Sequence, residues 1–160
     1  DYVANVTNYY SSRLDEIVAC DENLARVGAG YVKAGFEADP ERSFNRGYTD
    51  YFFKQRKPGM VNMDSPKSMG KKVAVVKQVK GNQMWVEPLE PLHNADGLCY
   101  FDGRELQGVK VNTAEGNRLT CNEKVNVKPG TLLYRNYDHE FVTRLAKGTS
   151  VRKIKVKIDV

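Results

Sequence analysis

The sequence predicts an α+β fold, in which an N-terminal helical segment precedes a small, mostly antiparallel β-barrel with a short closing helix. Two observations carry this prediction. Apolar residues recur every three or four positions near the N-terminus, which is typical of an amphipathic helix. Between residues 71 and 136, short β-branched runs alternate with tight-turn pairs, as in small barrels and sandwiches. The predicted divisions are a helical segment (1–56), a linker (57–70), the barrel (71–148) and a final strand (149–160).

The first predicted element is a helix over residues 2–20. Its apolar face carries Val3, Val6, Tyr10, Leu14, Ile17 and Val18. An amphipathic helix must bury such a face, and a second copy of the chain is one partner that would cover it. Residues 24–38 alternate loosely between apolar and polar side chains, which predicts a strand or an extended segment.

A second helix is predicted to begin at Asp39-Pro40-Glu41. Asp is a favoured N-cap, Pro is tolerated at the first helical position, and an acid suits the first turn. The helix would continue through ERSFNRGYTDYFFKQR, with one face formed by Phe44, Tyr48, Tyr51 and Phe52. Core packing is therefore the ordinary interpretation of the aromatic side chains other than Tyr48. Gly47 marks an interruption of this helix or a close approach of the backbone.

About six strands are predicted in the barrel on the strength of its turn signals. Gly-Asn and Asp-Gly pairs supply the positive φ angles of hairpin turns, and Pro-Gly suits a type II turn. The turn pairs are Gly81-Asn82, Asp96-Gly97, Asp102-Gly103, Gly116-Asn117 and Pro129-Gly130. After the barrel, Asp138 is predicted to cap a short helix that Gly148 closes.

The final segment, VRKIKVKIDV, is predicted to be a strand. Ile154, Val156 and Ile158 alternate strictly with lysines along it. Because no earlier strand is assigned as its partner, we expect it to lead into a further domain. The chain also lacks an initiator Met and begins in helical rhythm, which indicates a segment of a longer protein.

Composition excludes several classes of protein. No apolar run reaches the roughly 18 residues of a membrane helix, and the opening lacks a signal-peptide pattern, so no membrane association is expected. The odd number of cysteines, without a CxxC spacing, supports neither a disulfide framework nor a zinc site. Cys99 and Cys121 lie in strand-like runs and are expected to be buried thiols. A reducing, cytoplasmic location is expected.

Positive charge is concentrated after residue 40. Residues 1–40 carry three basic and seven acidic side chains, a net charge of −4, and the remaining 22 basic and 13 acidic side chains give +9. Eight basic residues lie between Lys54 and Lys80, opposed only by Asp64. Such an excess indicates contact with a polyanion, although lysines on strand edges also prevent aggregation. The sequence leaves both interpretations open.

No catalytic, cofactor-binding or metal-binding residue is predicted in this chain. His93 and His139 have no partner at metal-ligand spacing and are interpreted as surface residues. Neither HExxH, GxSxG nor a phosphate loop is present. Asp138 and Glu140 flank a helix start, where capping explains them.

A binding surface is the better interpretation of the basic and aromatic residues. Single-stranded nucleic acid is held on small barrels by aromatic side chains set among Lys and Arg. Asn45 joins the candidates because polar groups beside Gly47 would lie at a close backbone approach. The predicted substrate or nucleic-acid contacts are Asn45, Arg46, Tyr48, Arg56, Lys71, Lys72, Lys77 and Lys80.

Four further stretches carry a family resemblance. FNRGYTDYF, SPKSMGKKVAVV, LHNADGLCYFDG and KPGTLLYRNYDHEF together resemble the peptidase U32 family, and most closely its collagenase-like members. The opening YVANVTNYYSSRLDEI is similar to the helix that closes the main domain of that family. The resemblance implies that a TIM-like barrel elsewhere in the parent protein carries the reaction. It also implies that residues 71–148 form an accessory barrel similar to those of translation factors.

The resemblance implies two activities for the parent. Family members were named as collagenases or proteases, whereas several bacterial relatives are implicated in hydroxylating a pyrimidine in ribosomal or transfer RNA. That reaction involves prephenate and an iron–sulfur cluster held by cysteines. Cys20, Cys99 and Cys121 do not match the cluster arrangement, so the cluster is expected in the missing domain.

The resulting hypothesis is an accessory C-terminal region, not catalytic by itself. It would present substrate, with structured RNA as the expected one, to the catalytic barrel of the same parent chain. One alternative is a peptide- or collagen-recognition module of a true protease. The other is a purely structural or dimerisation module.

Overall fold

The computed structural model describes residues 2–28, 30–56, 58–63, 65–148 and 150–159. Asp64, predicted to oppose the basic segment, lies outside these residues, as do positions 57 and 149, where the predicted linker and final strand begin. The elements are α1 (Tyr2–Cys20), β1 (Gly30–Lys33), a 3-10 helix (Pro40–Arg42), β2 (Lys71–Lys80), β3 (Gln83–Pro88), β4 (Gly97–Asp102), β5 (Glu105–Glu115), β6 (Arg118–Cys121), β7 (Leu132–Tyr137), α2 (His139–Ala146) and β8 (Val151–Ile154).

The chain divides into two compact units. One contains the residues up to Pro40 and those from Phe141 onwards, and the other is Glu41–Glu140. The α+β class is confirmed, since the helices accompany an antiparallel barrel. No helix in the described part of the chain has the length and apolar character to cross a membrane.

In the first unit, α1 is confirmed, and the polar side chain of Asn5 holds it in place through hydrogen bonds. Asn5 is fully buried; its amide donates to the carbonyl of Asp39 at 2.7 Å and its oxygen accepts from the Asp39 N–H at 2.9 Å. The apolar face, by contrast, is exposed at Val3, Tyr10 and Leu14. This unit therefore secures α1 by two hydrogen bonds at Asn5 and leaves its apolar face uncovered.

The final strand has a partner. β8 pairs antiparallel with β1, from Gly30 opposite Ile154 to Lys33 opposite Val151. The interpretation of the tail as a strand without a partner is therefore wrong. Two short strands at opposite ends of the sequence find each other only in the folded chain, where periodicity within one segment gives no sign of its neighbour. That a further domain follows stays a prediction.

In the second unit, the six predicted strands are confirmed. They close a barrel in the order β2-β3-β6-β5-β4-β7, and every pair is antiparallel. Burying one Val, Leu or Met side chain contributes about 1.5–3 kcal/mol, so the alternating apolar residues drive closure. All six strands supply the core, which includes Val73, Val76, Met84, Val86, Leu98, Val109, Val111, Leu119 and Leu133.

Four of the five predicted turns have the expected glycine geometry, and one differs. The glycines of the four turns have positive φ angles, as hairpin and type II turns require. At the predicted Asp96-Gly97 turn, it is Ala95 that has the positive φ, of 67°. Gly97 instead begins β4, where a Cβ atom would lie 2.9 Å from Cβ of Tyr137. This glycine serves close strand packing and not the turn.

The second predicted helix is wrong beyond Arg42. The described residues of 43–70, called the connector here, contain no helix or strand. The Asn45 side chain donates to the carbonyls of Glu41 (2.9 Å) and Ser43 (3.2 Å), and Gly47 takes a φ of 101°, so the helical ladder cannot continue. Phe44 and Tyr51 are 60% and 62% exposed, so the core packing expected of them is wrong as well.

Candidate functional site

A buried network of charged side chains occupies one end of the barrel. Its centre is Arg135 on β7, whose side chain is only 3% exposed. The guanidinium lies 3.3 Å from Asp96, 3.2 Å from Asp138 and 3.1 Å from Glu90. Asp96 also accepts from the backbone N–H groups of His93 and His139. Each buried charge thus has several partners, which is the condition for keeping ions inside a protein.

The network reaches the beginning of the connector and the beginning of β2. Arg42 donates through Nε to Asp138 at 2.7 Å. Lys71 lies 2.5 Å from Glu90 and 3.9 Å from Glu41. The same set of ion pairs therefore positions both ends of the connector against the barrel. No local sequence pattern indicates this network, because its members are scattered along the chain.

Hydrogen bonds between distant parts of the connector hold its loop. The N–H of Met69 donates to the carbonyl of Asn45 at 3.0 Å, and the Ser68 hydroxyl donates to the same oxygen at 3.2 Å. Asn62 donates to the carbonyl of Arg46 at 2.6 Å. The Cys99 thiol of β4 donates to the Met69 carbonyl at 3.4 Å, which ties the loop to the outside of the barrel.

A glycine allows the connector to lie on the barrel. Gly70 has a φ of 71°, and a Cβ atom there would overlap the carbonyl of Arg135. Only glycine combines this left-handed backbone with so close an approach. The Gly70-Lys71 junction is consequently held against β7.

These contacts leave a pocket of about 470 Å³ between the connector loop and the outer face of the barrel. Four of the eight predicted contact residues line it, namely Asn45, Tyr48, Lys71 and Lys72. The other lining residues are Glu41, Gly47, Met69, Gly70 and Tyr134. Asn45 reaches it as a buried loop-holding residue, while Tyr48 and Lys72 are exposed.

The remaining predicted contacts do not line this pocket. Arg46 is exposed in the connector loop, next to Asn45 and Gly47. The guanidinium of Arg56 lies over the Phe52 ring, 5.4 Å from the ring centroid. Lys77 pairs with Glu87 at 2.5 Å across β2 and β3, and Lys80 is exposed at the end of β2. The structure thus separates the predicted set into a pocket group and a scattered surface group.

Tyr134 is the aromatic pocket residue that is absent from the predicted contacts. A signal for it exists, because Leu133 is buried in the barrel and side chains alternate along β7, so Tyr134 must face outward. Whether Tyr134 lies in the pocket, however, depends on the register between β2 and β7. Tyr134 lies directly opposite Lys72 in the β2–β7 pair.

The thiols and histidines show no arrangement for metal chemistry. Cys99 and Cys121 are buried, as predicted, and burial raises the pKa of each thiol to about 11. Among the described residues, no group of three or more His, Cys, Asp and Glu side chains could hold a metal ion. That an iron–sulfur cluster lies elsewhere in the parent stays a prediction. His139 is exposed, as predicted, whereas His93 is partly buried, with Nε2 3.2 Å from Glu140.

The chain has a relative among characterised proteins. The chain is 36% identical over 168 aligned residues to the 23S rRNA 5-hydroxycytidine C2501 synthase of Escherichia coli (strain K12). The alignment covers 99% of this chain and 26% of the relative, so the chain spans about a quarter of that protein. No protein-family model matches the chain, and no solved structure matches it.

Proposed function

We propose that this chain is the accessory C-terminal region of an RNA-modifying protein of the peptidase U32 type. In this role it binds ribosomal RNA and presents it to a catalytic barrel elsewhere in the same parent chain. The observation that carries the proposal is the 36% identity to an rRNA-modifying enzyme across 99% of the chain. The four stretches that resemble the U32 family point to the same parent.

The placement of charge supports RNA as the ligand. Lys72, Lys77 and Lys80 are exposed along β2, and Arg46 and Arg56 are exposed on the connector. Phosphate contacts from such side chains supply most of the non-specific affinity for nucleic acid and make it depend on salt. Exposed aromatic side chains stand among these cations, as on single-strand binding surfaces.

The reaction belongs to the rest of the parent in this proposal. In this proposal the iron–sulfur cluster and the cysteines that hold it belong to the missing domain. An rRNA substrate also implies a cytoplasmic location. This chain contributes affinity and orientation of the RNA and no bond-making step.

Peptide recognition is the rival function, and the barrel itself offers little for it. Extended peptides are often bound by addition to an open sheet edge. In the barrel every strand has a neighbour on both sides, which removes such edges. We therefore favour RNA binding over the hypotheses of a protease or collagenase module.

The test compares ligands and salt. Binding of the chain to a 23S rRNA fragment and to a collagen-like peptide is measured by fluorescence anisotropy over a range of salt concentrations. We expect affinity for RNA that falls steeply with salt and no comparable affinity for the peptide.

A pair of triple variants locates the contact. Lys72, Lys77 and Lys80 are changed together to Gln, and the matched control changes Lys110, Lys124 and Lys128, which are exposed elsewhere on the same unit. The first variant should lose more affinity and more salt dependence than the second, although both lose three charges. Tight peptide binding without RNA binding would overturn the proposal in favour of the protease module. Dimerisation without either ligand would favour a structural module.

A further inference from the structure

We infer that the pocket between the connector loop and the barrel binds one unpaired nucleotide, so that this region selects single-stranded RNA over duplex. The inference rests on the proposed RNA-binding function and adds the form of RNA that the site takes. A volume of about 470 Å³ falls within the range of small-molecule sites.

The floor of the pocket places an aromatic ring beside a cation. Lys72 and Tyr134 are cross-strand partners on the outside of the barrel, where directly opposed Cβ atoms lie about 4.5–5.5 Å apart. The Tyr134 ring meets Phe101 edge to face, with centroids 6.3 Å apart and planes at 86°. This contact holds the ring in one orientation before any ligand arrives.

The loop that carries Tyr48 also lines the pocket. Asn45 fixes this loop, because its amide donates to two carbonyls and its oxygen accepts from the Gly47 N–H at 3.3 Å. Gly47 has no side chain, and nothing lies within 4 Å of where its Cβ would be. The backbone at Gly47 therefore has open space beside it where it lines the pocket.

The two lysines of the pocket, Lys71 and Lys72, differ in their ion pairing. Lys71 belongs to the ion-pair network through Glu90 and Glu41, so much of its charge is already balanced. Within the part of the chain that the structure describes, Lys72 takes part in no ion pair, and it is exposed. We assign Lys72 to the phosphate, and Tyr134 and Tyr48 to the two faces of the base.

Stacking between aromatic rings requires a base whose faces are free. In a duplex the faces of each base are covered by its neighbours, and RNA helices are recognised by backbone and shape. Sequence-tolerant binding of single strands instead combines aromatic stacking with cations along the backbone. Two tyrosines and an unpaired lysine around one pocket match the second mode.

The test uses an oligouridylate about ten nucleotides long, within the site size of small barrels, and the same strand in a duplex. We expect the chain to bind the single strand more tightly. Tyr134→Leu should weaken this affinity by about five- to hundredfold, the range for loss of one stacked base, and Tyr134→Phe should change it less than about threefold. Lys72→Gln should lower the slope of log affinity against log salt by about 0.7. Lys124→Gln, which removes one exposed charge elsewhere on the same unit, is the control.

The possible results distinguish failure of the nucleotide pocket from failure of the proposed RNA-binding function. If the chain binds RNA but takes the duplex equally well, and Tyr134→Leu binds as the wild type does, the nucleotide pocket is refuted while the proposed function stands. If the chain binds neither RNA, both fail. Crosslinking of the wild-type chain to 5-bromouridine RNA gives a readout that does not depend on variant folding. The pocket requires crosslinks at Tyr48 or Tyr134, and crosslinks confined to residues outside the pocket would overturn it.

Discussion

The barrel and the connector are neighbours in one unit but are stabilised by different interactions. The barrel has a continuous apolar core to which all six strands contribute. The connector buries few apolar side chains; Phe53, for example, is 89% exposed. It is instead held by side chains that bond to backbone groups, such as Asn45, Asn62 and Ser68, and by the ion pairs at its two ends.

This difference explains where the candidate site lies. A closed barrel presents a rigid outer face, and a segment without a core of its own can shape a pocket on that face. Polar contacts keep the connector in place while its aromatic and basic side chains point to solvent. We therefore expect variants in the barrel to lower the free energy of unfolding most. Variants in the connector should alter the shape of the pocket at a smaller cost in stability.

The largest effect is expected for Arg135→Met, because the buried carboxylate of Asp96 would lose its ion pair with Arg135 and that of Asp138 would lose one of its two arginine partners. Removing one partner of a buried ion pair costs about 3–5 kcal/mol. Urea denaturation should show a loss of that size in the free energy of unfolding. The control, Arg118→Met, removes an exposed pair with Glu115 and should cost less than about 1 kcal/mol. Equal effects would mean that the network does not stabilise the unit.

The difference in stabilisation between the barrel and the connector is tested directly by Leu98→Ala in the barrel and Phe53→Ala in the connector. Leu98 is fully buried, so its truncation should lower the free energy of unfolding by about 2–5 kcal/mol. Truncation of Phe53 should change it by no more than about 0.5 kcal/mol, although more atoms are removed. Thermal or urea unfolding of both variants measures this, and a large loss at Phe53 would contradict the exposed connector.

Gly70→Ala tests the contact between the two regions. The added Cβ would overlap the Arg135 carbonyl and would sit on a left-handed backbone, for a joint cost of about 2–5 kcal/mol. Gly103→Ala is matched in φ but has open space around it, so only the backbone cost of about 1–2 kcal/mol remains. The difference between the two unfolding free energies isolates the close approach, and no difference would refute it.

A smaller effect, confined to the connector, is expected for Asn45→Ala. It removes the hydrogen bonds from the amide to the carbonyls of Glu41 and Ser43, each of which contributes about 0.5–1.5 kcal/mol. Trypsin should then cleave the variant faster after Arg46 than it cleaves the wild type. Asn45→Asp, which keeps the size but loses both donors, should behave like the Ala variant. Slow cleavage of both would show that these bonds do not hold the loop.

The smallest effect concerns the thiols. Because burial raises the pKa of Cys99 and Cys121 to about 11, iodoacetamide at neutral pH should label the exposed Cys20 and spare both barrel thiols until urea is added. The raised pKa favours the folded state below the ordinary value of 9.0, and this contribution is lost as the pH rises towards 11. Urea unfolding across that interval should show a falling stability, and a rising one would contradict the burial.

Sequence reasoning succeeded where a pattern is local. Strand periodicity and glycine-containing turns predicted six strands, and helical periodicity predicted α1 and α2. It failed at Asp39-Pro40-Glu41, whose strong helix-start signal was overridden by the Asn45 side chain and by Gly47 one turn later. Half of the predicted contact residues line the pocket, and Tyr134 was missed because its proximity to Lys72 is a matter of register.

The amino-acid sequence by itself determined the class of fold, the strands of the barrel and the concentration of positive charge after residue 40. These follow from side-chain periodicity, turn chemistry and composition, which act over a few neighbouring residues. The tertiary structure alone decided the path of the connector, the partner of the final strand, the buried network around Arg135 and the pocket that it supports. Those depend on which distant groups meet, because a buried charge or backbone donor must find its partner wherever the folded chain supplies one.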